Sequence, residues 1–251
     1  AAMMAGVPYA PISVAYSTVS QDFAKLKHII GLLDPGLVFA VDARPFARAL
    51  TIPEMAGREI VAIDNVDAVA GAKPLSALES ADTVALDARA TTIGPDTVAK
   101  ILFTSGSTGV PKGVVTTHRM MGSTQRQMAM LWPFLTRERP VILDWLPWSH
   151  VFGGTFCVGI VLRYGGSFYI DDGKPMASEF PKTVRNLREI SPTFYWSVPK
   201  GYEFLLAALN ADEALRQSFC RDLKMMFYAG ASLPEPVWRA LERHCKETSG
   251  R

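Results

Sequence analysis

The sequence predicts an α/β fold, with largely parallel sheets flanked by helices. Two observations carry this expectation. Short β-rich apolar runs alternate with segments whose apolar residues recur at helical spacing. Most of those runs are separated by a helical segment, so successive strands need crossover connections and pair in parallel. Such sheets bind ligands beyond the carboxyl ends of their strands, so chemistry is sought in the residues that follow strands.

Taken in order, Ser20 is placed to cap a helix in which Phe23, Leu26, Ile29, Ile30 and Leu33 share one face. Asp34-Pro35-Gly36 ends that helix. The run LVFAV (37–41) reads as a buried strand, residues 45–50 as a short helix, EIVAI (59–63) as a strand and residues 75–79 as a further short helix. Residues 80–96 have weak periodicity and read as surface chain. VAKILF (98–103) and GVVTTH (113–118) are strands joined by a loop of Gly, Ser and Thr. A helix over 120–135 is trimmed by Pro133, and VILDWL (141–146) is a strand. An apolar helix over 155–163 is stopped by Gly165-Gly166. SFYI (167–170) is a strand closed by the turn Asp171-Asp172-Gly173. A helix over 180–190, a strand over 193–198, a helix over 202–209 and a strand over 223–229 follow, and Pro234 begins a last helix.

Composition narrows the function classes. Of 251 residues 49% are hydrophobic and 20% charged, and 26 basic residues against 24 acidic ones leave a net charge of +2. That is too apolar for a disordered segment and too balanced for a dedicated nucleic-acid binder. The length supports one large domain or two modest ones. Cys157, Cys220 and Cys245 are widely spaced with no C-x-x-C pair, so neither a disulfide framework nor a zinc site is expected, and the cytoplasm is the natural compartment. The four histidines stand far apart, and no protein-built metal site is expected. Residues 145–162 carry no Asp, Glu, Lys or Arg, close to membrane-spanning length. Pro147, Ser149, His150 and Gly153-Gly154 in the first half make it a loop feeding a buried helix, so no membrane insertion is expected.

The strongest local signal runs from Thr104 through Ser105, Gly106, Ser107, Thr108 and Gly109 to Lys112 and Gly113. Glycines let the backbone approach a ligand closely, and successive N–H groups can form an anion-binding nest. Hydroxyls add donors, and Lys112 adds a compact positive charge that can follow a phosphate. The set suits a triphosphate. It is not a Walker A loop, because Lys112 precedes Gly113 rather than Ser or Thr and a strand follows rather than a helix. A generic loop of this composition would equally make a flexible hairpin.

The full order T-S-G-S-T-G-x-P-K-G resembles the phosphate-binding signature of the adenylate-forming superfamily, which includes acyl-CoA synthetases, firefly-type luciferases and the adenylation domains of peptide synthetases. In that family the loop holds the β- and γ-phosphates of ATP. The segment Leu146-Pro147-Trp148-Ser149-His150-Val151-Phe152-Gly153-Gly154 resembles the next motif, which implies that His150 and Phe152, with Gly153 beside them, border an acyl pocket. A lone His after a strand is otherwise more often structural. Ser149 departs from the bulkier residue usual there. Tyr228-Ala229-Gly230-Ala231-Ser232-Leu233-Pro234 resembles a segment whose backbone lies between adenine and the acyl group, which implies nucleotide contacts at Gly230, Ala231 and Ser232, with Gly230 also facing the acyl group. The same small residues would make a tight strand-to-helix turn.

Non-catalytic stretches, including residues 6–11, 165–175, 185–190 and 198–202, look like the feruloyl-CoA synthetase branch. The resemblance implies a carboxylic acid of the hydroxycinnamate class, such as ferulate, with ATP, Mg2+ and coenzyme A. It implies catalytic parts for Lys112 and His150. After Leu233-Pro234 the family continues to a Y-G-x-T-E segment that helps bind magnesium, a ribose-binding Asp and a mobile C-terminal lid domain carrying a catalytic lysine. None of these occurs in the 251 residues. The expectation is therefore a fragment, residues 1–251, of the N-terminal adenylation domain of an AMP-forming acid–thiol ligase, inactive by itself. The alternative is a stand-alone module that only binds a nucleotide or an aromatic acid. A P-loop phosphotransferase is disfavoured by the order Lys112-Gly113.

Overall fold

The computed structural model describes residues 2–79, 84–104 and 109–250. The chain divides into two compact units, Ala1–Met120 and Met121–Arg251. The α/β architecture expected from the sequence is present in both.

The first unit holds α1 (Ala15–Thr18), α2 (Ala24–Leu33), β1 (Leu37–Asp42), α3 (Ala47–Leu50), β2 (Glu59–Asp64), β3 (Lys73–Pro74), α4 (Val84–Ala90), β4 (Val98–Thr104) and β5 (Lys112–Thr117). Strands β1, β2 and β3 form a parallel sheet in that order. Its core joins Leu26 and Ile30 of α2 to Ala49 and Leu50 of α3 and to Ala62 of β2, with Val38 and Ala40 packed against them.

Three expectations for this unit are corrected. LVFAV is a strand, but not a buried one: Leu37, Phe39 and Val41 alternate outward and are exposed, because the core covers only the Val38–Ala40 face of this edge strand. Ser20 does not cap α2. Its hydroxyl accepts from the Phe23 N–H at 3.1 Å, one turn early, and Asp22 accepts from the Ala24 N–H at 3.1 Å. Residues 84–90 are helical although their periodicity is weak; α4 buries no residue, so no apolar stripe marks it. Residues 80–83 lie outside the described residues.

Strands β4 and β5 pair antiparallel, with Ile101 opposite Val115, Phe103 opposite Gly113 and Thr104 opposite Lys112. Tyr9 lies alongside β4, donating its N–H to the Ala99 carbonyl and accepting from the Ile101 N–H at 3.0 Å. Between those contacts sits Lys100, whose side chain is fully buried. Burial pushes its ammonium down to about 8.

Helix α5 (His118–Leu131) leads into the second unit, which holds β6 (Val141–Asp144), α6 (Val158–Tyr164), β7 (Ser167–Ile170), α7 (Phe180–Glu189), β8 (Phe194–Ser197), α8 (Pro199–Ala211), α9 (Glu213–Arg221), β9 (Met225–Tyr228) and α10 (Glu235–Ser249). β6 pairs with β7 and β8 with β9, both in parallel. The Thr193 N–H donates to the Val141 carbonyl at 2.9 Å, which sets β8 beside β6. All four residues of β8 are buried, as a strand covered on both faces should be. Phe194 and Trp196 enter one core with Ile142, Cys157 and Ile160. Tyr195 enters the other, with Leu205 and Leu209 of α8 and Leu215 and Phe219 of α9.

Helix α9 was not expected from the sequence. Its signal is present: Asp212 accepts from the Leu215 N–H at 3.0 Å as a helix cap, and Leu215 and Phe219 lie four apart on the buried face. Helix α8 begins at Pro199 rather than at Tyr202, with the proline in its first turn.

Lys100 supplies a test. An ammonium lowered by folding contributes stability above its unfolded value that is lost as pH falls through its folded one. Lys100→Met removes this dependence. Urea unfolding near pH 7 and near pH 10 should therefore shift in favour of the variant, relative to the parent chain, as pH falls. A difference that does not change with pH would remove the assignment.

Candidate functional site

Within the first unit the register of the β4–β5 hairpin decides where the glycine-rich loop begins and ends. Thr104 closes β4 and Lys112 opens β5 directly opposite it, so the hydroxyl-bearing and cationic ends of the loop are paired across the ladder. Ser105, Gly106, Ser107 and Thr108 lie outside the described residues. Gly109 stands at φ +77°, and Lys112 is exposed. A residue the sequence reading did not single out anchors the returning arm: the His28 Nε2 of α2 donates to the Pro111 carbonyl at 3.1 Å. Its sequence signal is only a polar position on an amphipathic helix.

In the second unit β6 is parallel to β7 and β8 to β9, and Thr193 meets Val141 as Trp196 meets Asp144, so the four strands run the same way and the chain segments that follow them emerge at one end. After β6 come His150, Phe152 and Gly153. After β9 come Gly230, Ala231 and Ser232. Phe152 links the two segments: its ring centroid lies 5.0 Å from Phe156, 5.7 Å from Phe227 on β9 and 5.9 Å from Trp196 on β8. His150 is exposed, and its Nδ1 accepts from the Phe152 N–H at 3.2 Å. In the neutral ring the proton then sits on Nε2, which is left as a donor. The backbone at Gly230 has φ +94°, a conformation that suits glycine, while Ala231 and Ser232 are exposed and Leu233 is buried as the anchor beyond them.

The helix after His150 starts earlier than the sequence suggested. Residues 152–157 form a wide π turn that runs into α6. The Gly153-Gly154 pair makes this turn possible. A Cβ on Gly153 would stand 2.7 Å from the Pro147 carbonyl oxygen, and one on Gly154 would collide with the Trp148 carbonyl oxygen. The turn therefore packs directly on the backbone of the loop that carries His150.

Two buried carboxylates hold the segments that follow β6 and β7. Asp144, at the end of β6, accepts from the Trp196 Nε1–H at 2.9 Å and from the Leu146 N–H at 3.0 Å. Burial pushes its carboxyl above the usual range. Asp171, after β7, accepts from the Thr183 hydroxyl at 2.6 Å, the Gly173 N–H at 2.9 Å and the Asn186 amide at 2.9 Å. An aspartate inside the apolar run VILDWL was the visible signal for the first of these. Among the described residues no three His, Cys, Asp or Glu side chains lie close enough together to hold a metal ion. No helix among the described residues is long and apolar enough to cross a membrane.

Glycine packing gives a direct test. Gly154→Ala should lower stability by about 1–3 kcal/mol, because the methyl meets backbone that cannot move independently. Gly122→Ala, in α5 with open space around its added Cβ, should be neutral or raise stability by up to about 1 kcal/mol. Equal effects in urea unfolding would contradict the close-approach account.

The profile of the AMP-binding enzyme family matches residues 1–249. The malonate–CoA ligase of Arabidopsis thaliana is 29% identical over 171 residues, which are 59% of this chain and 26% of that protein. The long-chain-fatty-acid–CoA ligase ACSBG2 of Xenopus laevis is 27% identical over 124 residues, 47% of this chain and 16% of that protein. Among solved structures, a malonyl-CoA ligase in a ternary product complex with methylmalonyl-CoA and AMP superposes on all of this chain and 46% of its own, with a TM-score of 0.66 at 24% identity. McyG A-PCP complexed with phenylalanyl-adenylate superposes on 97% of this chain and 41% of its own, also with a TM-score of 0.66, at 18% identity. The chain thus spans less than half the length of these four proteins. The family profile covers nearly every residue, and the chain belongs to the AMP-binding enzyme family.

Proposed function

We propose that these residues are part of the large N-terminal portion of an AMP-forming acid–thiol ligase, and that its acid is an aryl acid of the hydroxycinnamate class. In this reaction a carboxylate oxygen attacks the α-phosphorus of ATP. An acyl–O–P bond forms, the bond between the α- and β-phosphates breaks, and pyrophosphate leaves. The thiolate of coenzyme A then attacks the acyl carbon and AMP leaves. Chemistry of this kind is mostly positioning and charge stabilisation. Lys112, Thr104 and the loop between them, Ser105 to Gly109, would neutralise the departing pyrophosphate. His150 and Phe152 would border the acid, with Gly153 allowing the loop its close packing. Gly230, Ala231 and Ser232 would lie along the adenylate. Magnesium and the lid-borne lysine are assigned to residues outside this chain, so the chain alone is expected to give no acyl-CoA.

The aromatic surround of Phe152 is the observation that supports an aryl acid. Its ring neighbours are Phe156, Trp196 and Phe227, and none of them carries a charge. A flat conjugated acid would gain ring–ring contact at the half-buried Phe152, Phe156 and Phe227, with the fully buried Trp196 backing them. A dicarboxylate such as malonate would bring a second negative charge into the same surround, at a cost unless it is paired. The relatives named above carry malonate and long-chain fatty acids in their own names.

The test is a panel of acids. The full-length ligase that contains these residues should release pyrophosphate with ferulic or coumaric acid at a kcat/KM at least about 10-fold above that with malonic, benzoic or palmitic acid, a preference of about 1.4 kcal/mol. A preference for malonate or palmitate would overturn the acid class and leave the ligase reading standing. No acid-dependent pyrophosphate release would overturn both.

A further inference from the structure

Outside the candidate site, two thiols meet. Cys220 lies near the end of α9, and Cys245 lies on α10. Their Sγ atoms stand 2.9 Å apart, with both thiols free. That is inside the roughly 3.5–4.0 Å at which even carbon atoms rest in contact, and less than 1 Å beyond the roughly 2.05 Å of a sulfur–sulfur bond. The third cysteine, Cys157, is fully buried in the other core of the second unit.

We propose that Cys220 and Cys245 form a redox-modification site, at which a peroxide converts the thiol pair to a disulfide that ties α9 to α10. The two helices already share the core built on Leu215, Phe219 and Leu241, so little backbone movement is needed. Cys220 is fully buried while Cys245 is half-buried, so an oxidant has one approach and the sulfur that answers it lies directly beneath.

The chemistry balances without a cofactor. The thiolate of the pair attacks the peroxide, a sulfur–oxygen bond forms, the O–O bond breaks and an alcohol (or water, from hydrogen peroxide) leaves with one proton. The second sulfur then attacks the sulfenic sulfur. The S–S bond forms and the oxygen leaves as water, carrying the other thiol proton. Two electrons pass from sulfur to the peroxide. The hydrogen bond between the two sulfurs holds the Cys220 thiol below the usual cysteine range and the Cys245 thiol above it, so the thiolate of the pair is Cys220, which the oxidant reaches past Cys245. The bond would have a consequence for the candidate site. Helix α10 leaves directly from the segment Gly230 to Leu233, so tying α10 down restrains the exit of that segment.

The test treats the reduced 251-residue chain with a small excess of hydrogen peroxide, then maps thiols by alkylation after denaturation and by peptide mass. The expected product has lost two hydrogens, shows one linked peptide pair containing Cys220 and Cys245, and returns to the starting mass with a dithiol reductant. Cys157→Ser should leave this unchanged. Cys220→Ser and Cys245→Ser should each abolish the link and leave an over-oxidised single cysteine. Linkage through Cys157, links only between two chains, or stepwise gain of oxygen with Cys220 and Cys245 still unlinked would overturn the proposal. Because the readout is mass, a variant that folds poorly does not mask the result in the parent chain.

Discussion

The antiparallel register of β4 and β5 is the constraint on which the reading of the first unit rests. Pairing Phe103 with Gly113 and Thr104 with Lys112 fixes both ends of the glycine-rich segment on one ladder. A slip of one residue would turn every side chain of β5 to the opposite face and carry Lys112 away from Thr104. Several contacts hold the register. Tyr9 bonds to the outer edge of β4 at Ala99 and Ile101, and His28 bonds to the returning arm at Pro111. The charge of Lys112, for which a phosphate-binding part is proposed, thus stands at the start of a strand. Ladder hydrogen bonds fix the strand, while the exposed side chain keeps its own freedom.

The second unit solves a related problem by a different route. His150 stands exposed on the loop after β6, and loops are more mobile than the elements they connect unless something holds them. Here Asp144 ties the start of the loop to Trp196, and the glycine pair lets the following turn rest on the loop's own backbone. Phe152 then packs on β8 and β9, so the segment after β6 and the segment after β9 share one aromatic cluster. The chemistry proposed for His150 and for Gly230 to Ser232 depends on that shared packing.

Much of this was legible in the sequence, and the exceptions have physical reasons. Apolar runs and helical spacing located α2, every strand except the two-residue β3, and the helix after Pro234, because each carries a run or stripe of apolar residues in the sequence itself. They failed at α4, which buries nothing, and they passed over α9, whose short amphipathic stripe follows closely on another helix. Composition made LVFAV a buried strand, but which faces of a strand are covered is decided by neighbours distant in sequence. The same limit applies to the site. The order of residues 104–113, 146–154 and 228–234 carried the family resemblance directly. The pairing of Asp144 with Trp196, the hold of His28 on Pro111 and the meeting of Cys220 with Cys245 join residues 52, 83 and 25 positions apart. No local pattern announces such contacts.

The central claim is that Lys112 acts on the leaving pyrophosphate and not on the later thioester step. It is tested most directly by measuring the two half-reactions separately in the full-length ligase carrying Lys112→Ala. Adenylate formation from acid and ATP should slow by about 10²-fold or more, the scale on which removing one charge-stabilising donor acts. Thioester formation from supplied acyl-adenylate and coenzyme A should remain near the parent rate. Equal losses in both half-reactions, or a loss confined to thioester formation, would contradict the account.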